Sequence, residues 1–283
     1  MELNLADLWE RVVDEIPHHE ALVCGDRRLS YAATDERANR LAHHLGALGV
    51  GAGDHVALYL YNGTEYLEGM LAALKLRAVP INVNYRYGAD ELRYLLADAD
   101  ARAVIFHREF MPTLDAVRAD LPELAGFVMV DDASGAIIPA GVTEYESALA
   151  AASSARDFDA RSADDLYILY TGGTTGMPKG VMWRAEDIFF GALGGGNLGD
   201  APITAPEQIS DHLDPHRRGL PACPFMHGTA HWMAFGTLYS GGTVVISPDR
   251  HQVIESQRLD IFQHCRSHVE HRAGYALLGG FLT

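Results

Sequence analysis

Apolar residues at Leu5, Leu8, Trp9, Val12, Val13 and Ile16 recur every three or four positions, so the spacing predicts an amphipathic helix that Pro17 stops. The same spacing at Ala38, Leu41, Leu45 and Leu48 predicts a helix over 34–48, ended by Gly49. Residues 55–61 form a short apolar run and read as a buried strand, followed by a turn at Asn62 and Gly63. A helix over 65–76, a short strand over 79–83, a helix over 90–97 and strands over 103–106 and 127–130 continue the rhythm. Residues 133–163 are rich in Ala, Ser and Gly and read as a surface connection carrying one helix at 145–152. A buried strand over 166–170 runs into a Gly-rich loop, with a helix following at 185–193. Residues 194–219 are polar and rich in Gly and Pro, which predicts a long mobile loop. A helix over 232–238 and a strand over 243–247, entered through Gly241 and Gly242, complete the pattern. The alternation of strands and helices predicts an α/β fold of layered, parallel-rich sheets flanked by helices. No segment repeats at a fixed period, so a solenoid is not supported.

Charge narrows the function classes. Lys and Arg number 22 against 38 Asp and Glu, a net charge of −16, which argues against a general nucleic-acid binder or an anionic-membrane binder. It leaves ATP or CoA open, because a local nest of backbone amides can hold phosphate on an acidic protein. The three cysteines, Cys24, Cys223 and Cys265, are far apart and form no CxxC pair, so a reducing compartment is expected. The first residues are acidic where a signal peptide is basic. No apolar run approaches the ~20 residues that span a bilayer. A soluble, cytoplasmic protein without a transmembrane segment is the expectation.

The chemistry concentrates in one loop. Thr171, Gly172, Gly173, Thr174, Thr175 and Gly176 follow a hydrophobic strand, and Met177, Pro178, Lys179 and Gly180 close the segment. The glycines let backbone amides approach an anion with no Cβ in the way, the threonines add hydroxyl donors, and Lys179 adds a point charge suited to phosphate. The order departs from the Walker A loop, which needs Gly-Lys-Ser/Thr where this chain has Lys179-Gly180 followed by Val181, and it departs from GxGxxG as well. The bland alternative for such a string is a Gly/Thr surface turn.

The segment closely resembles the phosphate-binding signature of the adenylate-forming superfamily, which includes acyl-CoA synthetases, luciferases and peptide-synthetase adenylation domains. The likeness extends to Arg-Leu-Ser-Tyr at 28–31, Ala-Asn-Arg-Leu-Ala at 38–42, Gly-Asp-His-Val at 53–56 and residues 78–87. Residues 170–184, with Glu186, Asp187, Ile188 and Phe189, are similar to fatty-acyl-CoA synthetases of the actinobacterial type. The resemblance implies a ligase that uses Mg-ATP to convert a carboxylic acid, fatty or sterol side-chain, into an acyl-adenylate, with CoA as co-substrate for the thioester. It implies that Thr171 to Gly176 and Lys179 serve the β- and γ-phosphates, and that Mg²⁺ arrives with ATP rather than in a protein cage.

Residues 224–230 match the next motif of that family, with His227 on its aromatic position beside the acyl pocket. The alternative for His227 is a histidine packed at a helix start. His227 and His231 lie four apart but have no evident third metal ligand. Residues 220–248 contain no Asp or Glu to face a substrate ammonium, so an uncharged acyl tail fits better. Phe225, Met226, Trp232, Met233 and Phe235 are candidate pocket walls or plain core.

The resemblance fades after His251. The expected organisation is a partial amino-terminal domain over 1–251 and a divergent tail over 252–283 that suggests a frameshift. The family's adenine- and ribose-contacting motifs and its carboxy-terminal domain lie beyond the resemblance. A truncated, weakly active or inactive ligase is therefore expected, with a non-catalytic nucleotide-binding fragment or pseudogene product as the alternative. A phosphotransferase with a divergent Gly-rich loop is a third reading. His264, His268 and His271 share a helical spacing that reads as a solvated face rather than a metal site.

Overall fold

The computed structural model describes residues 2–172 and 177–248. His264, Cys265, His268 and His271 lie outside the described residues. Eight α-helices occur among them: α1 Leu5–Glu15, α2 Tyr31–Ala47, α3 Thr64–Lys75, α4 Ala89–Asp98, α5 Met111–Asp115, α6 Tyr145–Ala151, α7 Ala185–Ala192 and α8 Gly228–Tyr239. The strands are β1 Glu20–Cys24, β2 Arg27–Ser30, β3 His55–Tyr59, β4 Val79–Asn82, β5 Ala101–His107, β6 Gly126–Val130, β7 Thr143–Glu144, β8 Leu166–Thr171, β9 Lys179–Arg184, β10 Arg218–Gly219 and β11 Thr243–Ile246.

A five-stranded sheet in the order β4-β3-β5-β6-β7 is parallel throughout. Its side chains divide by the period of two that a strand imposes. Val56, Leu58, Ala103, Ile105 and Val128 enter one core with Leu41 and Leu45 of α2 and Leu67 and Leu71 of α3. Ala57, Tyr59, Val104, Phe106 and Met129 enter a second core with Leu92 and Leu95 of α4 and Leu114 of α5. Helices thus cover both faces, which is why these strands read as unbroken apolar runs. Pro80 is tolerated in β4 because β4 is an edge strand. A four-stranded sheet, β10-β11-β1-β2, mixes parallel and antiparallel pairs, and β8 with β9 makes an antiparallel hairpin.

Helix boundaries follow local chemistry. Asn4 caps α1 by accepting from the Ala6 amide at 2.9 Å. Ser30 caps α2 by accepting from Ala33 at 3.1 Å, so this helix begins at Tyr31 and not at Thr34. Gly49 follows α2 with φ +88°, a left-handed conformation that suits glycine. The connection before β8 is stapled by charge. Lys75, fully buried at the end of α3, pairs with Glu10 of α1 and with Asp35 of α2 at 2.8 Å. Arg161 reaches Asp7 and Glu10, and Arg156 reaches Asp14 and Asp35.

Two expectations need correction. Residues 194–219 are packed and not a free loop: Ile203 and Ile209 are buried, a 3₁₀ turn spans Pro206–His212, and β10 joins the four-stranded sheet. Composition pointed to a loop because two isoleucines among many Gly, Pro and polar residues leave no periodicity. The segment after the Gly-rich loop is strand β9 before it is helix α7, since the chain folds straight back on β8. No described helix is long and apolar enough to cross a membrane.

Candidate functional site

The site is built on the β8–β9 hairpin. Register runs from Leu166 opposite Arg184 to Thr171 opposite Lys179, so these last two residues face each other across the mouth of the 172–178 loop. Thr171, Gly172 and Lys179 are solvent-exposed, while Pro178 beside them is buried and anchors the return. Gly173, Thr174, Thr175 and Gly176 lie outside the described residues. Gly180 is set by a close approach: a Cβ there would stand 3.0 Å from Ile168 Cγ2 and 3.1 Å from the Tyr170 ring. The outer strand of the hairpin is open, with Val181 and Met182 exposed.

Asn82, the last residue of β4, ties β8 to the five-stranded sheet. Asn82 is 4% exposed. Its Oδ1 accepts from the Tyr170 amide at 2.7 Å, and its Nδ2 donates to the Tyr170 carbonyl at 2.8 Å. One side-chain amide thereby makes the pair of bonds that a neighbouring strand would make. The same Nδ2 donates to the Met226 carbonyl at 2.8 Å, bringing the second motif to the first.

The second motif is pinned at successive backbone atoms. The Phe225 amide donates to Asn62 Oδ1 at 2.8 Å, and His231 Nε2 donates to the Phe225 carbonyl at 2.5 Å. Tyr167 of β8 lies 2.8 Å from His231 Nδ1. A carbonyl can only accept, so Nε2 carries the proton and Nδ1 accepts from the Tyr167 hydroxyl. Burial holds His231 down to about 4, a neutral imidazole at neutral pH. Both ring nitrogens are occupied, so His231 is a structural link rather than half of a metal pair with His227. Among the described residues, no three His, Cys, Asp or Glu side chains converge to hold a metal ion.

α8 starts against β8. A Cβ on Gly228 would meet Leu169 Cδ2 at 2.2 Å, so glycine is what lets the helix begin there. His227 is the residue preceding the helix, with one side open to solvent. Partial burial, and then the charge of Arg86, hold its imidazole below the ordinary histidine value. Phe225 is core, 1% exposed and with its ring 5.2 Å from Tyr66. Met226 is buried, Trp232 and Met233 are half-buried, and Phe235 packs on Tyr239. Of the predicted pocket walls, Phe225 and Phe235 therefore serve the core. A surface cleft of about 410 Å³ lies between α1 and α2, lined by Val13, Asp35, Asn39 and Arg156 among others, and includes no residue of the site.

The structure thus pairs Thr171 with Lys179, and Asn82 links their neighbour Tyr170 to Met226, which precedes His227. Sequence reasoning missed Asn82, Asn62 and the linking role of His231. The usable signal was an amide inside the apolar run 79–83, since a polar side chain in a buried strand needs partners.

Comparison with known proteins identifies the family and the fold. A family model described as AMP-binding enzyme matches residues 9–269. The chain is 43% identical over 258 residues to a 3-oxocholest-4-en-26-oate–CoA ligase of Rhodococcus rhodochrous, covering 88% of this chain and 46% of that protein. It is 41% identical to a medium/long-chain-fatty-acid–CoA/3-oxocholest-4-en-26-oate–CoA ligase of Mycobacterium tuberculosis, with 87% and 46% covered. The chain therefore spans about half the length of the curated relatives it matches. Among solved structures, the N-terminal domain of FACL13 from Mycobacterium tuberculosis superposes with TM-score 0.68 at 27% identity, covering 87% of this chain and 57% of that one. An anthranilate–CoA ligase solved with anthranoyl-AMP shares the fold at TM-score 0.75 and 23% identity, covering 87% and 45%.

Proposed function

The chain belongs to the AMP-binding enzyme family, and from that premise we propose that its 171–179 hairpin loop binds the polyphosphate of Mg-ATP in the activation of a carboxylic acid. In this reading the carboxylate attacks the α-phosphorus, the bond to pyrophosphate breaks, and an acyl-adenylate forms. The CoA sulfur then attacks the acyl carbon and AMP leaves. Residues 1–251 are read as amino-terminal domain sequence of such an enzyme.

The reading rests on one observation above all: Thr171 and Lys179 are partnered at the open mouth of the loop. A hydroxyl and an ammonium facing each other at one place, with a sequence of glycines and threonines between them, suit negative charge building on departing pyrophosphate. Mg²⁺ fits as a companion of the phosphates, because the donors here are hydroxyl, amide and ammonium groups rather than carboxylates. Lys179 and the threonines are assigned to the β- and γ-phosphates, and His227 to the acyl side.

A fatty or sterol side-chain acid is the proposed substrate. Support comes from the names of the relatives and from residues 220–248, which carry no carboxylate to meet a substrate ammonium. Cys24 and Cys223 are unpaired, in keeping with a reducing cytoplasm.

Equilibrium dialysis of the full chain against Mg-ATP, with AMP as competitor and decanoate as the acid probe, tests the reading. Saturable Mg-ATP binding that AMP displaces is expected. A folded chain that takes up no nucleotide overturns it.

A further inference from the structure

We propose that Asn82 is a positioning residue that couples the polyphosphate loop to the acyl segment, so that occupation of one changes affinity at the other. The proposal rests on the ligase reading above and concerns how its two substrates communicate.

Both hydrogens of the Asn82 amide are committed, one to the Tyr170 carbonyl and one to the Met226 carbonyl, each at 2.8 Å. The Asn82 oxygen accepts from the Tyr170 amide at 2.7 Å. Tyr170 directly precedes Thr171, where the loop opens, and Met226 directly precedes His227. The β4 edge and β8 belong to different sheets with no backbone ladder between them, so a side chain bridges them.

Burial makes the bridge stiff. At 4% exposure, water does not replace a broken bond, and a carbonyl left without a partner is costly. The Met226 side has little slack, because the neighbouring Phe225 is held at its amide by Asn62 and at its carbonyl by His231. His231 is in turn tied to Tyr167 of β8. A shift of the Tyr170 backbone therefore moves Asn82 and Met226 together. An amide is the right chemistry for this task, since it donates twice and accepts from one end. Aspartate has the same shape but sets an oxygen against two carbonyls.

The test is thermodynamic linkage in the full chain, with Mg-ATP and decanoate titrated separately and then each in the presence of the other. The wild type should show about a fivefold or larger change in decanoate affinity when Mg-ATP is saturating, and the same factor in reverse. In Asn82→Asp that factor should fall to within about twofold of unity while each ligand still binds alone. A purely structural role would weaken both affinities and leave the factor intact, which overturns the proposal. Two ligands that bind the wild type without linkage also overturn it, and leave the phosphate reading standing. A wild type that binds no Mg-ATP defeats the ligase reading itself, and the coupling proposal with it. Should Asn82→Asp fail to fold, hydrogen exchange on the wild type decides. Mg-ATP alone should slow the amides of residues 226–231 as well as those flanking the loop, and protection confined to the loop contradicts the coupling.

Discussion

Thr171 and Lys179 are register partners at the open end of an antiparallel hairpin. This pairing gives the Gly-rich loop a fixed base. The two residues enter and leave the loop at adjacent points, so a hydroxyl and an ammonium stand at its base. Three features hold the base in place: the buried Pro178, the ring of Tyr170 against Gly180, and the Asn82 amide behind Tyr170.

His231 makes stability depend on pH. Its folded value of about 4 lies below the ordinary 6.5. Between those values the unfolded chain holds a proton that the folded chain does not, so stability is lost as pH falls from about 6.5 towards 4. At about 1.4 kcal/mol per unit, this amounts to up to about 3 kcal/mol. Urea unfolding of wild type and His231→Gln from pH 7 to 4.5 checks it. The wild type should lose stability more steeply than the variant.

Gly228 is predicted to tolerate no side chain without cost. An added Cβ meets Leu169, itself buried at 6% exposure. Gly228→Ala should lower stability by about 1–3 kcal/mol, the usual cost of overpacking. Adding Leu169→Ala should recover part of that loss in a double-mutant cycle, whereas strict additivity would show that the two sites do not press on each other.

The Lys75 cluster should be among the most sensitive charged positions. Burial alone pushes the Glu10 and Asp35 carboxyls up, but Lys75 with Arg161 or Arg156 outweighs it and holds both below their ordinary values. Lys75→Ala leaves those carboxylates with one cation fewer in a buried setting. A loss of about 3–5 kcal/mol is expected in chemical denaturation. For both carboxyls the folded value is depressed. Their contribution is present above the ordinary carboxylate range and is lost as pH falls through the folded values.

Much of this architecture was legible in the sequence, for physical reasons that can be named. The parallel strands β3 to β6 are buried on both faces, so they stand out as apolar runs, and helices such as α1 carry a clear stripe. β1 and β2 were missed because they are short, and Arg27 to Ser30 lie at a half-exposed sheet edge. β9 was missed because it is exposed along most of its length and shows no alternation. Lys179 was expected between strand and helix, whereas its partnership with Thr171 belongs to a hairpin. The Gly-rich loop and His227 stood out in the sequence as candidate motifs. Asn62 and His231 did not, because their work is done on backbone atoms distant in the chain, and the amide of Asn82 in its apolar run signalled a need for partners without naming them.

The most direct measurement is the affinity of the full chain for Mg-ATP before and after Lys179→Ala, by isothermal titration calorimetry. Lys179 is exposed, so the substitution should leave thermal stability within about 0.5 kcal/mol. Loss of a charged partner to phosphate should raise the dissociation constant about tenfold to a hundredfold. An unchanged affinity in a variant that melts like the wild type would contradict the account.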